Sequence, residues 1–509
     1  VKPFPKIPPA NAYRLAQAAA VLLLVLLAVS LWPATLDDAF ISYRYARNCV
    51  EGHGLVFNWG ERVEGYSNLL WILVLTPFLK AGAGIEWVSK LIGLVCAIAA
   101  LLTALRLLQR QYGASAATVL LFGVWLASCT GFVYYAISGL ETLLYTLLLL
   151  LLVRFLMEER HAWAALASAL LTITRPEGML LLLPLVLCAW MGRRPAATAP
   201  GAVGQRRRLP WWLYPAFPVL FLALITLWRW SYYGALLPNT FNAKIKTHWG
   251  VLHYILWHSQ TFVNYAFKSF AWNEWVLVFA LFYLLFHLRR RDTAPAAVLG
   301  CLLFFVWFSG SDWMSFGRFY VPALPLLGLF AWAGISRLGA ATADRGIRGP
   351  RLKIWLALPI LFNLVSFYYA DEELAGGGTI NPAMHSRPHR TIGMWLRNHA
   401  RPEDQLVVNE IGAIGWYSRL PIIDLIGLTD KTIPTFWKSG DFGACARYIL
   451  SRNPRYIALN DRQAPGDEGM DPVHQALYDR MMADGCYRLL CTFPLAHGKN
   501  LLLFERQGP

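Results

Sequence analysis

Asp37 and Asp38 stand side by side directly after the first long apolar run of a 509-residue chain, and they open the run Ala39-Phe40-Ile41-Ser42-Tyr43-Arg44-Tyr45. Two neighbouring carboxylates at a membrane surface can take a proton from a hydroxyl, one serving as base while the other holds it or raises its pKa. They can equally cap the helix that follows and interact with its dipole, and one aspartate can serve both purposes. A second constellation, Thr174-Arg175-Pro176-Glu177-Gly178, interrupts another apolar stretch. Pro and Gly explain a turn there without chemistry, but Arg175 and Glu177 are costly beside it unless they face protein or water. The planar fork of Arg175 suits a phosphate. An internal Arg175 to Glu177 pair that stabilises the hairpin is the simpler alternative.

More polar residues fall at corresponding depths: Glu141 between two apolar runs, Asn239, Asn242, Lys244 and Lys246 after Pro238, and Asp312 and Trp313 with Arg318. Within the loop that follows Asp38, Tyr43, Arg44, His53 and Glu64 are further candidate substrate contacts. Each alone is an ordinary interfacial residue. Gathered on one face from distant segments, they imply a cavity opening outward. The chain has no Gly-rich phosphate loop, no HExxH, no cysteine pair with zinc spacing and no dinucleotide fingerprint. ATP-driven chemistry, a zinc hydrolase and a cytoplasmic nucleotide-sugar donor are therefore disfavoured. No metal ligand set is read, although paired acids leave a divalent ion open.

The elements that must position these residues are largely membrane helices. Hydrophobic residues make up 57% of the chain and charged ones 15%, too apolar a balance for a soluble enzyme. The 22 Trp and 22 Tyr suit a protein that meets lipid headgroups over a wide perimeter. Apolar runs near 15–34, 88–108, 115–137, 140–157, 161–174, 178–192, 210–232, 274–288, 294–313, 318–336 and 352–370 give about eleven spans. The first reads as a retained span rather than a cleaved signal. Leu69 to Leu79 is apolar but short, and is read as flat or re-entrant.

Net charge divides the chain. Residues 1–370 hold 31 Lys and Arg against 14 Asp and Glu, whereas residues 371–509 hold 15 against 16. The basic excess thus lies in loops such as Arg193, Arg194, Arg206 to Arg208 and Arg289 to Arg291, and it sets orientation rather than a nucleic-acid footprint. The amino terminus is then cytoplasmic, and the loop 36–87 and the tail from Asp371 share the outer side. That loop is rich in aromatics and is read as ordered, with Ala39 to Val50 an amphipathic helix on the membrane surface.

The tail reads as a small α/β or α+β domain. Helices are expected at Arg390 to His399 and Pro472 to Asp484, and strands at Gln405 to Asn409, Pro421 to Leu425, Arg455 to Asn460, Tyr487 to Thr492 and Asn500 to Glu505. Of the eight cysteines, Cys49, Cys445, Cys486 and Cys491 face outward, where one disulfide within the tail is expected.

Asp37 to Gly54 (DDAFISYRYARNCVEGHG), Arg62 to Asn68 (RVEGYSN), Arg175 to Gly178 (RPEG), Pro238 to Lys244 (PNTFNAK) and Gly310 to Pro325 (GSDWMSFGRFYVPALP) resemble bacterial membrane glycosyltransferases of the C-type (GT-C) fold. Among these the run is most similar to the terminal arabinofuranosyltransferase family of the mycobacterial cell wall. The resemblance implies a polytopic helical catalytic module of about eleven spans in the bacterial inner membrane, to which the soluble carboxy-terminal α/β domain read above is joined. It implies a polyprenyl-phosphate sugar as donor, with arabinofuranose favoured, and a glycan or glycoprotein acceptor. It also implies a catalytic aspartate in the first external loop, here Asp37 or Asp38. By their chemistry, Arg175, Lys244 and Arg318 are the residues that can meet the donor phosphate. The alternative is a polytopic transporter or flippase for lipids or glycolipids, for which ionisable groups near the midplane and internal pseudo-symmetry are expected.

Overall fold

A computed structural model of the chain describes residues 9–192, 209–244, 251–269, 273–310, 314, 316–344, 360–365, 367–368, 382–461, 470–495 and 500–507. The first long helix, α1 (Pro9–Ser30), leads into α2 (Asp37–Val50) and α3 (Leu69–Lys80). The helical module continues through α4 (Ile85–Tyr112), α5 (Ala116–Ser128), α6 (Thr130–Ile137), α7 (Thr142–Met157), α8 (His161–Thr174), a 3-10 segment (Pro176–Leu181) and α9 (Leu182–Met191). It ends with α10 (Leu213–Tyr233), α11 (Asn239–Lys244), α12 (Val251–Ser269), α13 (Glu274–Phe286), α14 (Thr293–Ser309) and α15 (Leu324–Asp344).

Four helices among the described residues are long and apolar enough to cross a membrane, and the pair α5 and α6, bent by 60° at Cys129, adds a fifth if it is one span. The count of about eleven is therefore not reached on length. Other expected spans, such as α7, α8 and α13, form helices of 10–17 residues, shorter than the roughly 20 residues a straight crossing needs. The last expected span, 352–370, is described only at 360–365 and 367–368. Helix ends follow local chemistry: Gly113 ends α4 with φ of 67°, and Ser115 accepts the Thr118 amide to start α5.

In the tail, α16 (Pro382–His399) precedes β1 (Leu406–Val408), α17 (Ile411–Ser418), β2 (Ile422–Asp424), α18 (Ile433–Ser439), α19 (Phe442–Ser451) and β3 (Tyr456–Asn460). Then come α20 (Pro472–Asp484), β4 (Tyr487–Pro494) and β5 (Asn500–Arg506). The sheet order is β2-β1-β3-β5-β4, with the first three strands parallel and the last two antiparallel to their neighbours. All five expected strands and both expected helices form. Three short helices, α17, α18 and α19, were not anticipated.

Both faces of the parallel strands are buried, as period-two geometry allows. Val407, Ile423 and Ile457 pack beneath α19 and α20 with Cys445, Ile449 and Leu477. Leu406, Val408 and Ile422 turn the other way and join a cluster that contains Ile41, Tyr45, Phe57, Tyr66 and Ile72. The loop after α1 and the tail thus share one hydrophobic core. Consequently α2 does not lie open on a membrane surface: Asp37 and Ala39 through Asn48 are buried between the helical module and the tail. The expected tail disulfide does not form either. All eight cysteines are free, because Cys445 packs in the core under the sheet whereas Cys491 lies on β4 and Cys486 is exposed.

Candidate active site

The adjacent aspartates occupy the first two positions of α2, and successive helical residues point about 100° apart. Neither is the cap. Leu36 holds that position and makes no side-chain cap bond, so the capping expectation is replaced by first-turn placement, where carboxylates still oppose the dipole favourably.

Asp37 faces the tail. Its Oδ1 accepts from the Ala413 amide at 2.8 Å and pairs with His389 Nδ1 at 3.1 Å, while Oδ2 accepts from the Gly412 amide at 3.1 Å. A side chain at Gly412 would collide with the Asp37 backbone oxygen and carboxylate, so glycine is required there. Burial works to raise the Asp37 carboxyl, but the His389 bond and charge and the two amides outweigh it and hold it below its ordinary value. Burial likewise pushes His389 down, and Asp37, with a smaller contribution from Glu410, lifts it above its ordinary value.

Arg44, two turns along the same face, is spent on the tail. It donates to the carbonyls of Phe57, Gly415 and Leu420 and to Asn58 Oδ1, and lies over the Phe57 ring. Arg47 donates to Trp416 O. Tyr43 is buried with its hydroxyl on Ser89. Tyr43 and Arg44, expected as substrate contacts, join segments here, as does Arg47: every buried backbone carbonyl at this joint needs a donor, and the arginine fork supplies several.

Two other expected contacts are joints too. Glu64 pairs with Arg229 of α10, and Asn239 donates to the carbonyls of Gly427, Leu428 and Asp430, while its own amide donates to Glu64 O. His53 is exposed and stacked on Trp59 at 4.3 Å, and Asn242 is exposed. Asp312 and Trp313 lie outside the described residues, as does the side chain of Lys244.

Asp38 faces elsewhere and is half-buried. Ser42, one turn on, shares its face of the helix. Ser42 Oγ and Asn68 are hydrogen bonded, and Asn68 Nδ2 also donates to Glu141 Oε2 at 2.9 Å. Glu141 Oε1 lies 3.7 Å from Arg175 Nε, which pairs with Glu177 Oε1 at 2.8 Å. All three charged groups are buried.

The local sequence builds this. Pro176 forces the preceding Arg175 into extended backbone, φ −155° and ψ 147°, and ends α8 there. The 3-10 segment then folds back so tightly that any side chain at Gly178 would strike the Leu171 carbonyl. Arg175 is thereby turned inward, its guanidinium 5.5 Å from the Tyr145 ring and 5.4 Å from the Phe319 ring. The Arg318 guanidinium also lies over the Phe319 ring, 5.1 Å from its centre. Arg175 Nη1 is buried with no hydrogen-bond partner.

The structure therefore joins Glu141, Arg175 and Glu177 to the face of Asp38, with Arg318 sharing the Phe319 ring. It separates Asp37, Arg44 and Asn239 from them as parts of the joint with the tail, and ties Glu64 to Arg229 of α10. Sequence reasoning missed Ser42, Asn68 and His389. The first two lie inside the quoted motifs, where a hydroxyl one turn from Asp38 and an amide beside a buried apolar helix were available signals. His389 is 352 positions from Asp37 and carried no signal. Among the described residues no three or more His, Cys, Asp or Glu stand together as metal ligands.

A family profile described as "Domain of unknown function (DUF8728)" matches residues 379–504, the tail. No curated protein matches the chain. Among solved structures, ArnT from Cupriavidus metallidurans bound to undecaprenyl phosphate is similar with a TM-score of 0.55 at 14% identity, over 96% of this chain and 97% of that one. Its apo state gives 0.55 and 14%, over 97% and 98%. Arabinofuranosyltransferase AftD from Mycobacteria, at TM-score 0.49 and 15% identity over 96% of this chain and 41% of its own, is too distant to argue from. The chain thus shares the fold of ArnT from end to end, and the C-type glycosyltransferase fold expected from the motifs stands.

Proposed function

We propose that this chain is a membrane glycosyltransferase that moves a sugar from a polyprenyl-phosphate carrier to a hydroxyl of an extracytoplasmic glycan or glycoprotein. Asp38 is the general base, and Arg175 meets the phosphate. The observation that carries the reading is the unspent, buried Nη1 of Arg175 on the relay that leads from the face of Asp38. A buried guanidinium donor without a partner costs about 1–3 kcal/mol or more, and an anionic oxygen would repay it. The fold shared with ArnT, a protein crystallised with undecaprenyl phosphate, supports the same class of carrier.

In the proposed step Asp38 takes the proton of the acceptor hydroxyl as its oxygen bonds to the anomeric carbon. The bond from that carbon to the phosphate oxygen breaks, and the carrier leaves as polyprenyl phosphate. Arg175, steadied by Glu141 and Glu177, balances the charge that grows on the leaving oxygen. Asp37 is assigned to the joint with the tail, which its carboxylate holds through Gly412, Ala413 and His389. Arabinofuranose is the sugar favoured by the likeness of the motifs. The face that carries Asp38 is the outer one, the arginine-rich loops being cytoplasmic.

Purified protein given polyprenyl-phosphoryl arabinofuranose and an arabinan acceptor tests the reading. Transfer in the wild type that disappears in Asp38→Asn supports it, and wild-type transfer by Asp38→Asn removes the base.

A further inference from the structure

The tail's parallel strands carry a second polar cluster, apart from the Arg175 relay. The strand order β2-β1-β3 means that the chain leaves β1 to one side for β2 and then returns across it to β3. In open parallel sheets ligands lie beyond the carboxyl ends of strands at such a reversal. Two side chains meet at that edge here. Glu410, two residues past β1, accepts at Oε1 from Asn460 Nδ2 at 2.8 Å, and Asn460 is the last residue of β3.

Both partners keep an acceptor in reserve. Glu410 Oε2 and Asn460 Oδ1 are buried with no hydrogen-bond partner, and Asn460 is only 9% exposed. Buried acceptors are rarely left unpaired, because each forfeits its hydration. His474, from the first turn of α20, completes the cluster: its Nδ1 accepts the Asn460 amide at 3.1 Å. The accepting Nδ1 puts the ring proton on Nε2, which makes His474 a donor. Burial lowers its pKa and keeps the ring neutral. The cluster offers two free acceptors and one ring N–H, the mixture that sugar hydroxyls satisfy, since each hydroxyl both gives and receives.

The position of this edge links it to the helical module. Glu410 immediately precedes α17, whose amides hold Asp37, and its charge reaches His389, the other partner of Asp37. Asp38 is the next residue along.

We infer that the carboxyl edge of β1 and β3, formed by Glu410, Asn460 and His474, is a binding subsite for hydroxyl groups of a neutral glycan, the acceptor of the proposed transfer. This rests on the functional reading above and adds to it where the acceptor is held.

The full-length protein in nanodiscs is titrated by calorimetry with short arabinan, galactan and mannan oligosaccharides, with glucosamine as a cationic comparison. At least one neutral oligosaccharide binds the wild type. Glu410→Gln and Asn460→Leu weaken that binding by about tenfold, the loss expected for one hydrogen bond to a charged or buried acceptor. Asp38→Asn still binds the oligosaccharide and transfers no sugar. The inference is overturned if no neutral oligosaccharide binds the wild type, if only glucosamine binds, or if Glu410→Gln binds like the wild type. Where Asn460→Leu fails to fold, the near-isosteric Glu410→Gln decides alone. Transfer retained in Asp38→Asn, with oligosaccharide binding lost in Glu410→Gln, strikes down the assigned base and leaves the subsite standing.

Discussion

The two faces of α2 rise from neighbouring residues of one short helix and are finished differently. On the face toward the tail, Asp37 takes three donors, Arg44 gives to three carbonyls and one amide oxygen, and Arg47 closes on Trp416. On the face that bears Asp38, the chain of contacts through Ser42, Asn68, Glu141 and Arg175 ends on a guanidinium nitrogen with nothing to bind. A polar group whose bonds are all made within the protein has little left to offer a substrate. A buried group with a bond in hand has been kept so at a cost of about 1–3 kcal/mol, which a ligand can recover. Neighbouring aspartates of identical chemistry are given different surroundings by the rest of the fold.

The sharpest break of this comparison exchanges the carboxylates one at a time. Asp38→Asn is expected to lower transfer by about 10²–10⁴-fold, the range a general base contributes, with little change in the melting temperature. A thermal melt beside a transfer assay measures both. Asp37→Asn is expected to act in the opposite pattern: it leaves His389 buried without its counter-charge and destabilises the docked tail by roughly 3–5 kcal/mol. Hydrogen exchange of α16 and α17 reads that loss. A melting curve like the wild type's for Asp37→Asn would end the distinction between joint and site.

Arg175→Lys sharpens the other face. A lysine keeps the charge but loses the planar fork that reaches Glu177 and a phosphate together, so the donor KM should rise by about tenfold or more. Arg44→Lys, at the joint, should leave the donor KM alone and lower the melting temperature instead.

The smallest expected effect is in pH. His389 has a folded pKa above its ordinary 6.5, so its stabilisation is complete below 6.5 and is lost as pH rises through the folded value. Asp37 has a folded pKa below its ordinary 3.8, so its contribution is complete above 3.8 and is lost as pH falls through the folded value. Docking of the tail should therefore be firmest between these limits and loosen on the alkaline side. His389→Asn should flatten the alkaline slope in melting temperature measured against pH.

Much of the fold was legible because it rests on local pattern. Short apolar runs made the strands of the tail legible, and burial on both faces of the parallel ones favours continuous runs such as Leu406-Val407-Val408 and Tyr456-Ile457-Ala458. The helices α17, α18 and α19 were not legible: each has ten residues or fewer, too short for a period to stand out. The arginine, the two glutamates and the Asp37 and Asp38 couple were legible as residues that need a reason to sit near apolar helices. Which of them would be spent was not. Arg44 and Arg175 look alike in sequence, yet the first meets carbonyls 371 and 376 positions away and the second meets a carboxylate two positions on.

The sequence alone determined that this chain is a many-helix membrane protein with a neutral α/β tail, and that acids and arginines gather beside particular apolar runs. Hydrophobic period and charge are properties of neighbouring residues, and they survive without a fold. Only the tertiary structure decided that Asp37 binds the tail and that Ser42, one turn from Asp38, is linked through Asn68 and Glu141 to Arg175, because hydrogen bonds are short and directional. Whether one is available depends on which distant backbone arrives within 3 Å of a carboxylate.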